Sequence, residues 1–131
     1  MIQLKSNLIV TDKSSIVAVQ CIKVLKSYKR PIALLGDVII ICVHSVNIKK
    51  YVRLKPRFQK KFGIGTMHRA LVVRTKCNYA RIKEVFIKFN VNHVILVTKT
   101  IVPSTNKVYG PLLKEFCIKW PSLGCVATCI I

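Results

Sequence analysis

The run from Arg69 to Lys76 alternates two sets of side chains: Ala70, Val72 and Arg74 on one side, Leu71, Val73 and Thr75 on the other. Both sets are largely apolar, which predicts a strand covered on both faces, as in the wall of a small closed barrel with something packed outside it. Further β-branched runs at Ser6–Val10, Ile16–Leu25, Val38–His44, Val85–Phe89 and Val94–Val97 predict more strands, the last closing the sheet. The Val38 run is continuous rather than alternating, so burial on both faces is expected there, with His44 at its end a structural group rather than a ligand. Turn-forming residues punctuate the runs at Thr11–Ser15, Gly36-Asp37, Cys77–Arg81 and Asn90–Asn92. After the irregular stretch Ile101–Tyr109, proline at the first position of a helix suits Gly110-Pro111. Leu112, Leu113 and Phe116 form its apolar stripe, Glu115 is in reach of Lys119, and Pro121 and Gly124 end it. The last residues, Cys125–Ile131, are apolar enough to pack back on the barrel or on a partner.

Between the Val38 run and the Arg69 run the pattern changes. Residues 46–65 hold seven cations between Lys49 and Lys61 and no acid. Tyr51, Arg53 and Lys55 alternate with Val52 and Leu54, and Pro56 marks a tip, so this stretch reads as a hairpin-like arm projecting from the barrel. Tyr51, Phe58 and Phe62 interleave with the cations as on RNA-binding surfaces, where aromatic and guanidinium planes stack on bases. The expected fold class is therefore mainly β: a small five-stranded β-barrel with a projecting basic hairpin and a short C-terminal helix over about 111–124. One domain over 1–131 suits a chain of this length.

Charge sharpens this outline. Lys and Arg number 23 against 4 Asp and Glu, a net charge of +19 on a chain that is 52% hydrophobic. A core-forming chain with such self-repulsion calls for a polyanion, and nucleic acid supplies it while releasing counterions. The residues expected to contact RNA are Lys23, Lys26, Lys29 and Arg30 around the first basic loop; Lys49, Lys50, Arg53, Lys55, Arg57, Lys60 and Lys61 on the arm; and Arg69, Arg74, Lys76 and Arg81 along and after the central strand. An anionic membrane surface would also attract a basic chain, but the amphipathic helix for that is missing. A spanning helix needs roughly 18 or more apolar residues, and no run here is that long, so no membrane insertion is expected. The amino end alternates like a strand and is read as neither a secretory signal nor an import presequence.

Chemistry for catalysis is not apparent. Asp12, Asp37, Glu84 and Glu115 stand in separate local settings, and there is neither a phosphate-cradling glycine loop nor a nucleophile with its base. Six cysteines lack zinc spacing; reduced thiols are expected, with Cys21 and Cys42 as small buried hydrophobes. No enzyme activity, cofactor or metal is expected. A free single-stranded nucleic-acid-binding β-barrel is the alternative to a structural role.

Seven motifs, in order and in register, carry a resemblance to the bacterial-type large-subunit ribosomal protein fourteen family: Met1-Ile2-Gln3, Asp12-Lys13-Ser14-Ser15, Cys21–Leu25, Gly36–Ile39, Ala70–Lys76, Ile87–Asn90, and Tyr109-Gly110-Pro111 through Lys114-Glu115. The resemblance implies a structural constituent of the large ribosomal subunit that binds large-subunit rRNA. It also implies neighbours in the nineteenth and third large-subunit proteins, and a contribution to the intersubunit face opposite small-subunit rRNA. Thr105, Asn106, Lys107 and Tyr109 match the region near that face and near the docking place of a ribosome silencing factor. Departures from the family pattern are a longer segment at 46–65, Ser15 and Pro31 in place of a glycine and an arginine, and Thr105-Asn106-Lys107 in place of Gly-Thr-Arg. The wealth of Ile, Lys and Asn is what an A/T-rich genome encodes, and an organelle-encoded protein of the mitochondrial ribosome is the expectation, a plastid or reduced bacterium the alternative.

Overall fold

The computed structural model describes residues 1–25, 32–81 and 85–131. In chain order its elements are β1 (Asn7–Val10), β2 (Ile16–Val24), β3 (Val38–Val46), α1 (Ile48–Val52), α2 (Pro56–Lys61), β4 (Met67–Arg74), β5 (Tyr79–Arg81), β6 (Val85–Ile87), β7 (His93–Val97), β8 (Val108–Leu112), α3 (Lys114–Lys119), α4 (Pro121–Val126) and β9 (Ala127–Ile130).

The central run behaves as its alternation demands. Ala70 and Val72 of β4 enter the barrel interior with Leu8, Val19, Ile39, Ile41, Val43, Val94 and Leu96. Leu71 and Val73 project through the wall into a second cluster with Ile95, Val108, Leu112, Leu113, Phe116 and Leu123. The expected five-stranded barrel is present, in the order β1-β2-β3-β4-β7, closed by a parallel pairing of β1 with β7. What covers the outer face of β4 is the chain's own carboxyl-terminal region. β3 follows the same logic: Ile39, Ile41 and Val43 point inward and Val38 meets the outer cluster.

Five local predictions are corrected. Residues 46–65 form two short helices rather than a hairpin-like arm of strands. A strand there would have left a ladder unpaired, whereas Asn47 caps α1 and Pro56 occupies the first turn of α2, where its missing N–H costs nothing. Pro111 does not start a helix; it lies within β8, which pairs in parallel with β9, and the helix begins at Lys114. Pro121 opens α4 rather than ending a helix, and the α3–α4 pair supplies the crossover that parallel strands require. Finally, β6 pairs with β5 in a separate antiparallel hairpin and is not a barrel strand. That hairpin is tied to α3 by Arg81, whose Nε and Nη2 donate to the Glu115 carboxylate at 2.5 and 2.8 Å. Glu115 therefore takes Arg81 as its partner, in place of the expected Lys119, whose ammonium sits 4.7 Å above the Trp120 ring.

Candidate nucleic-acid interface

The helical arm is held by its uncharged residues. The Asn47 N–H donates to Ser15 O at 2.7 Å, fixing the start of α1 to the turn after β1. The Tyr51 hydroxyl donates to Gln59 O at 2.9 Å, and Gln59 Nε2 returns the bond to Leu54 O at 3.0 Å, so each helix closes the end of the other. Phe62 packs against the barrel core and stacks on His68 with centroids 5.4 Å apart. His68 Nε2 lies 2.9 Å from Lys61 O and 3.0 Å from Thr66 Oγ1. A carbonyl only accepts, so Nε2 carries the proton. Burial pushes the His68 imidazolium below its usual range, and the neighbouring Lys61 charge pushes the same way.

With those residues turned inward, the cations face out. Lys49, Lys50, Arg53, Lys55, Arg57, Lys60 and Lys61 are all exposed. Basic residues occupy the last turn of each helix, where the carbonyl ends favour positive charge. The acids lie elsewhere: Asp12 accepts from the Ser14 and Leu96 N–H groups, Asp37 from Leu34, and Glu115 binds Arg81. Of the aromatic residues expected to stack on bases, Tyr51 and Phe62 are spent on holding the arm, and Phe58 alone stays largely exposed, at 45%.

The fold brings the arm to the loop before β8. A pocket of about 340 Å³ has the exposed Lys50 and Arg53 on one side and Ser104 and Thr105 on the other, with Leu54, Phe62 and Ser15 between. Lys13 completes its rim, and its N–H donates to Lys107 O at 3.0 Å. Lys13 is not among the cations expected from sequence to contact RNA; its signal is a cation inside the Asp12–Ser15 motif. Asn106 and Lys107 are exposed beside this pocket, and Tyr109, half-exposed, lines an adjoining cleft with Lys50 and His93. A second cationic line crosses the barrel wall. Lys23 and Arg69 both lie in register with Ile40 on the strand between them, about 10 Å apart at two strand spacings, and both are exposed. Lys76 is exposed just beyond β4. Lys26, Lys29 and Arg30 lie outside the described residues.

Arg74 and Arg81 do not join these surfaces. Arg74 is only 6% exposed. Its Nε donates to Pro111 O at 2.8 Å, and its Nη2 to Thr11 Oγ1 at 3.2 Å and to Tyr109 O. Burial lowers its pKa from the free guanidinium value. Rather than reaching a phosphate, Arg74 pins residues 109–111 to the barrel. Arg81 is committed to Glu115 and to Ile131 O at 3.0 Å. Among the described residues no three His, Cys, Asp or Glu side chains gather as a metal set, and no helix is long and apolar enough to cross a membrane.

A closed five-stranded barrel, a capping carboxyl-terminal unit and a cation-studded arm define a small, strongly basic β-barrel protein. The family model described as ribosomal protein L14p/L23e matches residues 1–131, the whole chain. The chain belongs to that family, and is thus a structural protein of the large ribosomal subunit, as the seven motifs implied.

Proposed function

We propose that this chain binds large-subunit rRNA through the exposed cations of its helical arm, extended by Lys13, Lys23, Arg69 and Lys76, and that the loop Thr105, Asn106, Lys107 and Tyr109 contributes to the face meeting the small subunit and its rRNA. The observation that carries the reading is the arm itself: seven exposed cations in fourteen residues, on a scaffold whose aromatic and amide groups are turned inward, with the described acids engaged elsewhere. Such an array neutralises phosphates on assembly and repels itself in their absence. Lys26, Lys29 and Arg30, which follow β2 in sequence, add to the Lys23 side of the same reading. Neighbouring positions of the nineteenth and third large-subunit proteins, and silencing-factor docking at Thr105–Tyr109, belong to this proposal through the family resemblance. So does the mitochondrial ribosome as the location, supported by the Ile-, Lys- and Asn-rich composition.

Sedimentation of large subunits tests the reading. The chain should stay with the particle at moderate salt, and replacing Lys50, Arg53, Arg57 and Lys60 by glutamate should release it. A free single-stranded binder would instead strip from particles as salt rises and bind unrelated RNA equally well.

A further inference from the structure

The pocket between the arm and the Ser104–Thr105 loop has an anatomy that phosphate contact alone does not require. A site for a backbone phosphate needs cations and N–H donors, whereas here the half-buried interior is built from Leu54 and Phe62, with Lys13, Lys50 and Arg53 confined to the exposed rim. Hydroxyl residues complete the lining: Ser104 is exposed and Ser14 and Thr105 are half-buried, whereas Ser15 is 5% exposed and its Oγ is buried. An apolar interior, the hydroxyls of Ser14, Ser104 and Thr105 in its lining and a cationic mouth together match the parts of a nucleotide: a planar base, its polar edge, and the phosphates on either side.

We infer that this pocket receives a single unstacked RNA base, with its flanking phosphates on Lys13, Lys50 and Arg53. The inference rests on the RNA-binding reading above and adds the mode of contact. The volume, about 340 Å³, lies at the lower end of small-ligand clefts, which run from roughly 300 to 1,000 Å³. That is room for one base and not for a helix. Bases paired in an RNA helix present little to side chains, so proteins read RNA at loops, bulges and ends where a base can be turned out. An acidic peptide with one apolar side chain is the competing occupant. The positive field favours RNA, since exposed cations continue away from the pocket along both helices of the arm, as a long polyanion requires and a single acidic side chain does not.

A photoreactive benzoylphenylalanine at Ser104, carried into assembled large subunits, tests this directly. Irradiation should give an adduct to one rRNA nucleotide; an adduct to a protein, or none, overturns the inference. Two space-filling variants, Leu54→Trp and Ser104→Trp, approach from opposite walls and keep every cation. Each should weaken binding to large-subunit rRNA about tenfold with the salt dependence unchanged, and make one base newly reactive to base-specific probes. Full affinity and unchanged base reactivity in both would overturn the pocket's role while leaving the arm's phosphate contacts standing. Failure of the phosphate reading has a separate signature: Lys50→Ala and Arg53→Ala would leave the salt dependence unaltered.

Discussion

Arg74 and Gly110 occupy the same small volume: a Cβ placed on Gly110 would lie 2.8 Å from Arg74 Nη2, and Gly110 has φ +78, where a side chain is disfavoured whatever the space. The glycine lets the 109–111 backbone close over the guanidinium, and the guanidinium in turn binds that backbone's carbonyls at Pro111 and Tyr109. The proposed subunit-facing loop is thereby anchored to a barrel strand. Gly110→Ala combines backbone strain with a pinned neighbour and should cost about 2 kcal/mol or more, read as a lowered urea midpoint with unchanged m-value.

Arg74→Met keeps the stem and removes the hydrogen bonds. The carbonyls of Tyr109 and Pro111 and the Thr11 hydroxyl lose a partner in a buried setting, an expected loss of about 2–4 kcal/mol. Hydrogen exchange should quicken at Tyr109 and along β8. The salt dependence of rRNA binding should not change, which separates this anchoring role from phosphate contact.

Single removal of an arm cation should act on the salt dependence. For Lys50→Ala or Arg53→Ala, the slope of log K against log salt should fall by about 0.7–0.9 per lost phosphate contact, with thermal stability nearly unchanged because both side chains are exposed. Filter binding to large-subunit rRNA at four or five salt concentrations measures it.

Gln59→Ala withdraws the amide that closes the end of α1, with the bond to Leu54 O lost. About 1 kcal/mol is expected, confined to the arm, since among these contacts Phe62 is the one that packs into the barrel core. Hydrogen exchange should accelerate over residues 48–62 and stay unchanged in β1–β4.

Acidification should destabilise the free chain through two imidazoles. His68 is lowered by burial, against the opposing pull of its bond to Lys61 O, and His93 by burial and then by the Arg74 charge. A depressed folded-state pKa means that the unfolded chain binds the proton more readily. Stability is therefore full above the unfolded value near 6.5 and is lost as pH falls from there towards the folded values. Urea midpoints at about pH 7.5 and about pH 5.5 should differ, and the gap should shrink in a His68→Gln, His93→Gln double variant. Equal gaps in both proteins would contradict the assignment.

The barrel was legible because its information is local and periodic. The β-branched runs gave the strands, and the two apolar faces of Arg69–Lys76 already required a cover on the outside. The nature of that cover was not legible. Leu112, Leu113 and Phe116 signalled an apolar stripe, but only the folded chain reveals that it seals the wall at Leu71 and Val73. Proline misled twice in the same way: Pro56 and Pro121 read as breaks, yet each sits in the first turn of a helix, where its fixed φ helps. Pro111, taken for such a start, lies in a strand instead. On the arm, a five-residue alternation had no partner strand to satisfy, and side-chain caps from Asn47 and Gln59 decided for helix. Arg74 shows why a cation's place depends on what packs over its strand: beneath the 109–111 backbone, a guanidinium is recruited for structure.

A density map of the assembled large subunit is the measurement that bears most directly on the central claim. The account predicts Lys49, Lys50, Arg53, Arg57, Lys60 and Lys61 with phosphate oxygens within about 2.7–3.2 Å of their nitrogens at most of these positions, and Arg74 still closed beneath Gly110. An arm directed into solvent, or buried wholly against protein with no RNA within reach, would contradict it.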